Sequence, residues 1–450
     1  MERQPGVELV GLGNRRTISS NTTQSDDEDN GESQIVSSIR PLMGRDTERG
    51  GSLWKRLFKQ GGLGEFFLGS SLGWHLWVGL LVFWSGGCSF GLLLMNRFIM
   101  LTGIYKIPWP LSHTYVQLLL THFILATWSA ITRWLASPLK GMGFGAAVAP
   151  HGSLTGALRG LRGKRSSFMT CLFDALAGIA GGGILGFEFR VAKQVFPLAV
   201  VFVAKVLLSN YSFAYTTLPV YQLARIGVVP VAMVFSSTLQ KNSYSYTTFS
   251  SALIATIYLL VAILQFPRMR VIWESIAAGI ISSLFSALYP ILLLRTHRAI
   301  MTDLIPQGHM ITEEVSYGVE TRAYYRTLHY VSFLSIMILT PIVLLSGELP
   351  YIYHNIPFLD VPFFLMMIWC GGLGSFAVFS STLLLVKATS PFTTIFINTP
   401  RSAFQLAMIN FFKIPKYSWG GILLCWLSSL WYLYIRRSEG QVNIKRRIYR

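Results

Sequence analysis

The long apolar stretches of this 450-residue chain have no carboxylate in their interiors: all 20 Asp and Glu lie between the stretches or at their ends. Charge of either sign is scarce, at 13% of residues against 52% hydrophobic ones, and whole segments such as 244–265 carry none. A soluble core helix keeps one polar face, so repeated charge-free runs of roughly 20 residues exclude a water-soluble fold and make lipid the solvent. Cysteine is sparse as well. Cys88, Cys171, Cys370 and Cys425 show no CxxC spacing, so neither a disulfide framework nor a zinc site is implied. HExxH, GxSxG and P-loop patterns are missing too, and no carboxylate pair lies within the apolar runs. A membrane hydrolase or glycosyltransferase therefore has little support, and no metal or cofactor is expected.

What is present fits a bilayer. Aromatic residues make up 14% of the chain, and Trp and Tyr collect at membrane interfaces. The net charge of +18 raises nucleic acid as a partner, but the Lys and Arg residues fall between apolar runs and in the tails. That is the pattern of cytosolic membrane flanks, so the lipid bilayer is the expected partner and nucleic acid is not.

Residues 1–73 are polar and include the acidic tract Ser25-Asp26-Asp27-Glu28-Asp29, which cannot bury enough apolar area to fold. A disordered cytosolic tail is expected, with Ser25 either a phosphorylation site or part of a solubilising segment. No apolar signal-peptide region opens the chain, so the first membrane run is expected to act as the targeting signal. Ten runs follow, at 74–100, 111–135, 194–215, 219–239, 246–266, 273–294, 328–346, 362–386, 391–411 and 417–435. Each is long enough for a hydrocarbon core of about 30 Å. The expectation is an all-α polytopic domain over 74–436, with insertions near 136–190 and 299–327 and a basic cytosolic tail at 437–450. An eleventh stretch, Phe168 to Phe187, contains Asp174 and the run Gly181-Gly182-Gly183, and reads as an interfacial or re-entrant piece.

Ten spans put both ends of the chain on one side of the membrane. Lys55, Arg56, Lys59, Lys140, Arg159, Arg162, Lys164, Arg165, Arg295, Arg298, Arg322, Arg326, Arg436 and Arg437 all fall on that side. The opposite loops hold chiefly Lys106, Arg268, Arg270, Lys413 and Lys416. By the positive-inside rule both termini face the cytosol. The cluster Arg159 to Arg165 is an ordinary topogenic flank or a site for anionic lipid.

Charged groups within spans are costly, about 2.5 to 3.5 kcal/mol for a central Arg on insertion scales, and so mark function. Here they have one sign. Arg225 lies in the fourth run, Arg401 in the ninth, Lys205 in the third and Arg97 near the end of the first. With no carboxylate beside them in the runs, the cheapest neutralisation is a bound anion, and phosphate suits the planar guanidinium fork best. Snorkelling to the headgroups is the alternative for each, and for Arg97 and Lys205 it stands level with the ligand reading. Tyr221, Gln222 and Arg225 share one helical face, which would let a base stack on the ring while phosphate meets the charge. Asn398 and Gln405 share a face with Arg401, and Pro391 and Pro400 interrupt that helix.

At these residues the chain resembles the triose-phosphate and nucleotide-sugar transporter family of the drug/metabolite transporter superfamily. The likeness runs from about Trp74 to Arg436, outside the two insertions. Met95-Asn96-Arg97 is similar to the family's Asn-Lys at the end of the first helix, and Ile107-Pro108-Trp109-Pro110 to the aromatic-proline pattern before the second. Leu207-Leu208-Ser209-Asn210-Tyr211-Ser212-Phe213-Ala214-Tyr215, then Val220-Tyr221-Gln222 with Arg225 and Pro230, resembles its "SN-SL-Y" and "FYQ-(V)-K/R-P" segment. Ala388-Thr389-Ser390-Pro391 with Asn398 and Arg401 is similar to its ninth helix, whose basic residue helps bind phosphate. Ile397-Asn398-Thr399-Pro400-Arg401 departs from both the Lys-rich motif and the Gly-Ala-Leu-Asn signature for GDP-mannose, which leaves the solute open.

The resemblance implies two inverted five-helix repeats and strict exchange of a nucleotide-sugar or sugar-phosphate for a nucleotide monophosphate or phosphate. It also implies a Golgi or endoplasmic reticulum address. The candidate binding set is Arg225, Arg401, Tyr221, Gln222, Asn398, Lys205, Asn210 and Arg97. A homodimer is left open. The rival readings are a non-transporting membrane scaffold or regulator that keeps the fold, and a carrier for another organic anion.

Overall fold

The computed structural model describes residues 71–102, 109–142, 144–150, 178–180, 187–240, 245–266, 272–304, 313–355, 361–409 and 415–448, together with Gly64 and Phe67. The acidic tract, the cluster Arg159 to Arg165, and all of 168–187 except 178–180 and Phe187 lie outside the described residues.

Helices dominate. α1 (Ser71–Arg97) continues into a π-helical turn (Phe98–Thr102), followed by α2 (Pro110–Trp134) and α3 (Phe189–Ala214). Next come α4 (Leu218–Ala224), α5 (Val228–Leu239), α6 (Tyr246–Leu264) and α7 (Trp273–Leu304). The second half holds α8 (Glu313–Ser346), the short α9 (Glu348–Asn355), α10 (Pro362–Ala388), α11 (Pro391–Phe396), α12 (Asn398–Ile409) and α13 (Lys416–Ile448).

Among the described residues, 9 helical segments are long and apolar enough to cross a membrane, with α4 and α5 together forming one of them, Leu218–Leu239. Nine of the ten expected runs are matched by these segments. The remaining run, 391–411, is split into α11 of 6 residues and α12 of 12 residues and is not among the segments long and apolar enough to cross.

Both split segments have a local cause. α4 ends at Arg225, whose φ of −101° and ψ of 6° leave the helical well. Tight turns follow: Arg225 N–H donates to the Gln222 carbonyl at 3.2 Å, Ile226 N–H to Leu223 at 3.2 Å, and Val228 N–H to Arg225 at 3.1 Å. Pro230 has no N–H for the Ile226 carbonyl, so α5 starts afresh. Ser390 caps α11 by accepting the Thr393 N–H at 3.1 Å. Pro400 has no N–H for the Phe396 carbonyl, and its own carbonyl accepts the Trp426 indole N–H at 3.2 Å.

Small residues set the packing. α7 lies along α3, α6 along α13, and α10 along α1 and α2, while α8 packs on α2, α3 and α7. A Cβ on Gly279 of α7 would sit 2.6 Å from the Ala224 Cβ and 2.8 Å from the Ser212 Oγ, so α7 needs a glycine to cross α3 and the end of α4. One large apolar cluster is built from α2, α3, α7, α8 and α10, with Leu198, Leu293, Val331 and Leu383 fully buried. The outward faces stay apolar, as Phe83 at 79% and Leu345 at 88% exposure illustrate, which is the surface a lipid-facing helix needs.

Among the described residues, ion pairs join several helix ends. Arg326 of α8 pairs with Glu188 just before α3. Lys387 of α10 meets Glu320 of α8 at 2.5 Å, and Arg190 of α3 lies 3.8 Å from Asp303 of α7.

Candidate functional site

The two split segments meet around a cavity of about 60 Å³. Tyr221, Gln222, Arg225, Ile226, Val228 and Val229 line it from α4 and α5, and Thr256 and Leu259 from α6. Asn398, Thr399, Arg401, Ser402 and Gln405 line it from α12, and Leu93 from α1. Five of the eight expected binding residues (Arg225, Arg401, Tyr221, Gln222 and Asn398) thus come together although more than 170 positions separate the two groups in the chain. The cavity has space for a few water molecules.

Arg225 is held by hydroxyls from three helices. One terminal nitrogen donates to Ser209 Oγ of α3 at 3.2 Å and to the Tyr221 hydroxyl of α4. The other donates to Ser286 Oγ of α7 at 2.9 Å. The guanidinium also lies over the Tyr221 ring, 5.3 Å from its centroid, and the ring packs edge-on against Phe213 at 5.2 Å. Tyr221 is only 8% exposed, packed between the arginine and Phe213, and still lines the cavity. Nε of Arg225 is buried and has no hydrogen-bond partner.

Arg401 sits in the first turn of α12, its backbone N–H donating to the Ile397 carbonyl at 3.3 Å. Its Nε is likewise buried without a partner. Gln222 Nε2 donates to Gln405 Oε1 at 3.3 Å, which links α4 to α12 across the cavity and leaves Gln222 Oε1 buried and unpartnered. Three polar atoms in the site, two donors and one acceptor, therefore await a partner.

The other expected residues lie off the cavity lining. Lys205 of α3 places its ammonium 4.2 Å from the centroid of the Tyr289 ring, a cation–π contact. The charges of both Arg225 and Arg401 act on it. Asn210 donates to Thr114 Oγ1 at 2.8 Å and so ties α3 to α2. Arg97 ends α1, and the preceding Asn96 accepts from Gln117 at 2.6 Å and lies 3.2 Å from His113 Nε2, joining α1 to α2.

Among the described residues, no Asp or Glu lines the cavity, and none forms an ion pair with Lys205, Arg225 or Arg401. Burying like charges without a counter-ion is expensive, and a bound anion is the direct remedy.

No family model matches the chain. It is similar to the GDP-fucose transporter 1 of Dictyostelium discoideum, with 26% identity over 251 residues. That relative is a transporter. The match covers 55% of this chain and 62% of the relative, so the chain spans about three fifths of the length of the curated protein it matches.

Thr256, Thr399, Ser402 and Ser286 escaped sequence reasoning. Hydroxyls are ordinary in membrane helices, where most bond a carbonyl of their own turn, as Thr256 does with Ala252 at 2.9 Å. A usable signal for Ser286 was the run of small residues on one face of α7, namely Gly279, Ser282, Ser283 and Ser286.

Proposed function

We propose that the protein is a secondary-active carrier that moves a nucleotide-sugar, or another phosphorylated sugar, across an organelle membrane. The observation that carries this reading is the pair Arg225 and Arg401, each with an unpartnered buried Nε, facing one carboxylate-free cavity at the breaks in two split segments. Such breaks put cations and free backbone groups at mid-membrane depth, where carriers bind their solutes. The similarity to a GDP-fucose transporter supports the same class of solute.

Antiport follows from the charges. An empty cavity with two uncompensated guanidinium groups is costly to reorient, so a nucleotide monophosphate or phosphate returns in exchange. Alternating access in two inverted five-helix repeats is supported by the packing: the contact of α10 on α1 has its counterpart in α7 on α3, and that of α10 on α2 in α8 on α3. In that arrangement the ion pairs Arg326 with Glu188 and Lys387 with Glu320 close the cytosolic end and must break when it opens. The address is the Golgi or the endoplasmic reticulum, with both termini cytosolic.

Purified protein in liposomes preloaded with GMP, UMP, CMP or phosphate should take up GDP-, UDP- or CMP-sugars, or sugar phosphates, only from matched preloads. Uptake of none of them from any preload would favour the scaffold reading. In sealed microsomes, protease should remove tags placed beside Met1, at Gly160 and after Arg450. Protection of the carboxyl-terminal tag alone would mean an odd number of spans, either because Phe168 to Phe187 spans the membrane or because 391–411 does not.

A further inference from the structure

We infer that Ser286 is a positioning residue of the anion site, fixing the Arg225 guanidinium, together with Ser209 and Tyr221, so that its Nε–H edge is left for the ligand. This rests on the reading of the cavity as an anion site. Arg225 occupies the cap position beyond the last turn of α4, with a backbone already outside the helical well, so its own helix does not direct the side chain. Contacts from other helices do. Ser286 reaches it because Gly279, seven residues earlier on α7, lets that helix come within a glycine's distance of α3 and α4. Seven residues are about two turns, so the two positions share a face.

The chemistry of the partners is selective. A guanidinium has five N–H donors, and the hydroxyls of Ser209, Tyr221 and Ser286 all engage its terminal nitrogens. Nε–H, buried and unpartnered, is left over as a charge-assisted donor for a phosphate oxygen. A carboxylate in place of Ser286 would hold the arginine equally well but would neutralise it and compete with the ligand. A hydroxyl sets its direction and keeps the whole positive charge available. Because the flexible side chain is ordered before the ligand arrives, less ordering remains to be done on binding.

The test uses calorimetric titration of the purified full chain with GDP and, separately, with inorganic phosphate. Ser275→Ala is the matched control, since Ser275 also sits on α7 and is fully buried, yet its hydroxyl donates to the Ser212 carbonyl at 2.7 Å and not to Arg225. Ser286→Ala is expected to weaken both ligands by about tenfold, the size of one lost bond to a charged group, while Ser275→Ala leaves both affinities at the wild-type level. Melting temperatures of the two variants are measured alongside. The inference is overturned if Ser286→Ala binds like the wild type, if Ser275→Ala weakens binding equally, or if the affinity losses follow the melting temperatures. Wild-type protein that binds neither probe overturns the anion-site reading itself, and the inference with it.

Discussion

Arg225→Ala and Arg401→Ala should each abolish exchange in proteoliposomes while the protein still accumulates and folds. Among the described residues, both arginines border a cavity with no carboxylate in its lining, and each keeps one buried N–H donor without a partner. Removing a charge that no protein group neutralises relieves a desolvation cost instead of exposing one, which is why folding should survive. The two variants should nevertheless differ in stability. Arg225 donates to three hydroxyls on three helices, so its loss removes three bonds, although Ser209 and Tyr221 still bond each other at 2.7 Å, and should lower stability by about 1–3 kcal/mol. No cross-helix bond of that kind holds Arg401 among the described residues, so Arg401→Ala should melt at or above the wild-type temperature. Lysine should rescue transport only in part at either position. It keeps the charge but loses the planar guanidinium fork, and apparent affinity falls roughly tenfold for each 1.4 kcal/mol of binding lost. Normal transport by both alanine variants would remove the anion site from consideration, as would misfolding of Arg401→Ala.

The second large effect concerns neighbouring glycines with opposite surroundings. A Cβ on Gly421 of α13 would lie 2.9 Å from the Ala262 Cβ, 3.0 Å from its backbone nitrogen and 3.0 Å from the Tyr258 carbonyl oxygen. Two of those atoms belong to the α6 backbone and cannot turn aside. Gly421→Leu must therefore push α13 off α6, and these helices share one of the longest contacts in the fold. Overpacking of a tight core usually costs about 1–3 kcal/mol, and a clash with backbone belongs at or above the upper end. Loss of folded protein in detergent, read by size-exclusion chromatography, is the expected result. Gly420→Leu is the companion, because a Cβ there meets nothing within 4 Å and would extend toward lipid. It should accumulate like the wild type, and equal behaviour of the two variants would refute the close α6–α13 contact.

Hydropathy is a local property, and for that reason the spans could be read from the chain alone. Runs without charge, such as 246–266, became α6 and its neighbours within a few residues of the expected limits. The cations were legible for a related reason: Arg225 and Arg401 are conspicuous because a charge in lipid is costly wherever the fold puts it. The prolines at 391 and 400 marked an interruption of the ninth run, although its division into two short helices had to be seen.

Meeting across the fold was not legible. Nothing in the order of residues says that α4 lies beside α12, that Gln222 reaches Gln405, or that Ser286 of α7 receives Arg225. Those facts depend on which helix faces pack together, and that is decided by close approaches at Gly279 and Gly421, summed over the whole bundle. Tyr221 shows the difference most clearly. Its spacing from Arg225 was readable as one shared helical face, yet the packing of its ring between the guanidinium and Phe213 was not. The sequence alone determined the solvent of the fold and the sign of its buried charge, because both follow from what each residue costs in lipid. The tertiary structure alone decided where the charges gather and which of their donors remain free, because hydrogen-bond geometry depends on neighbours far away in the chain.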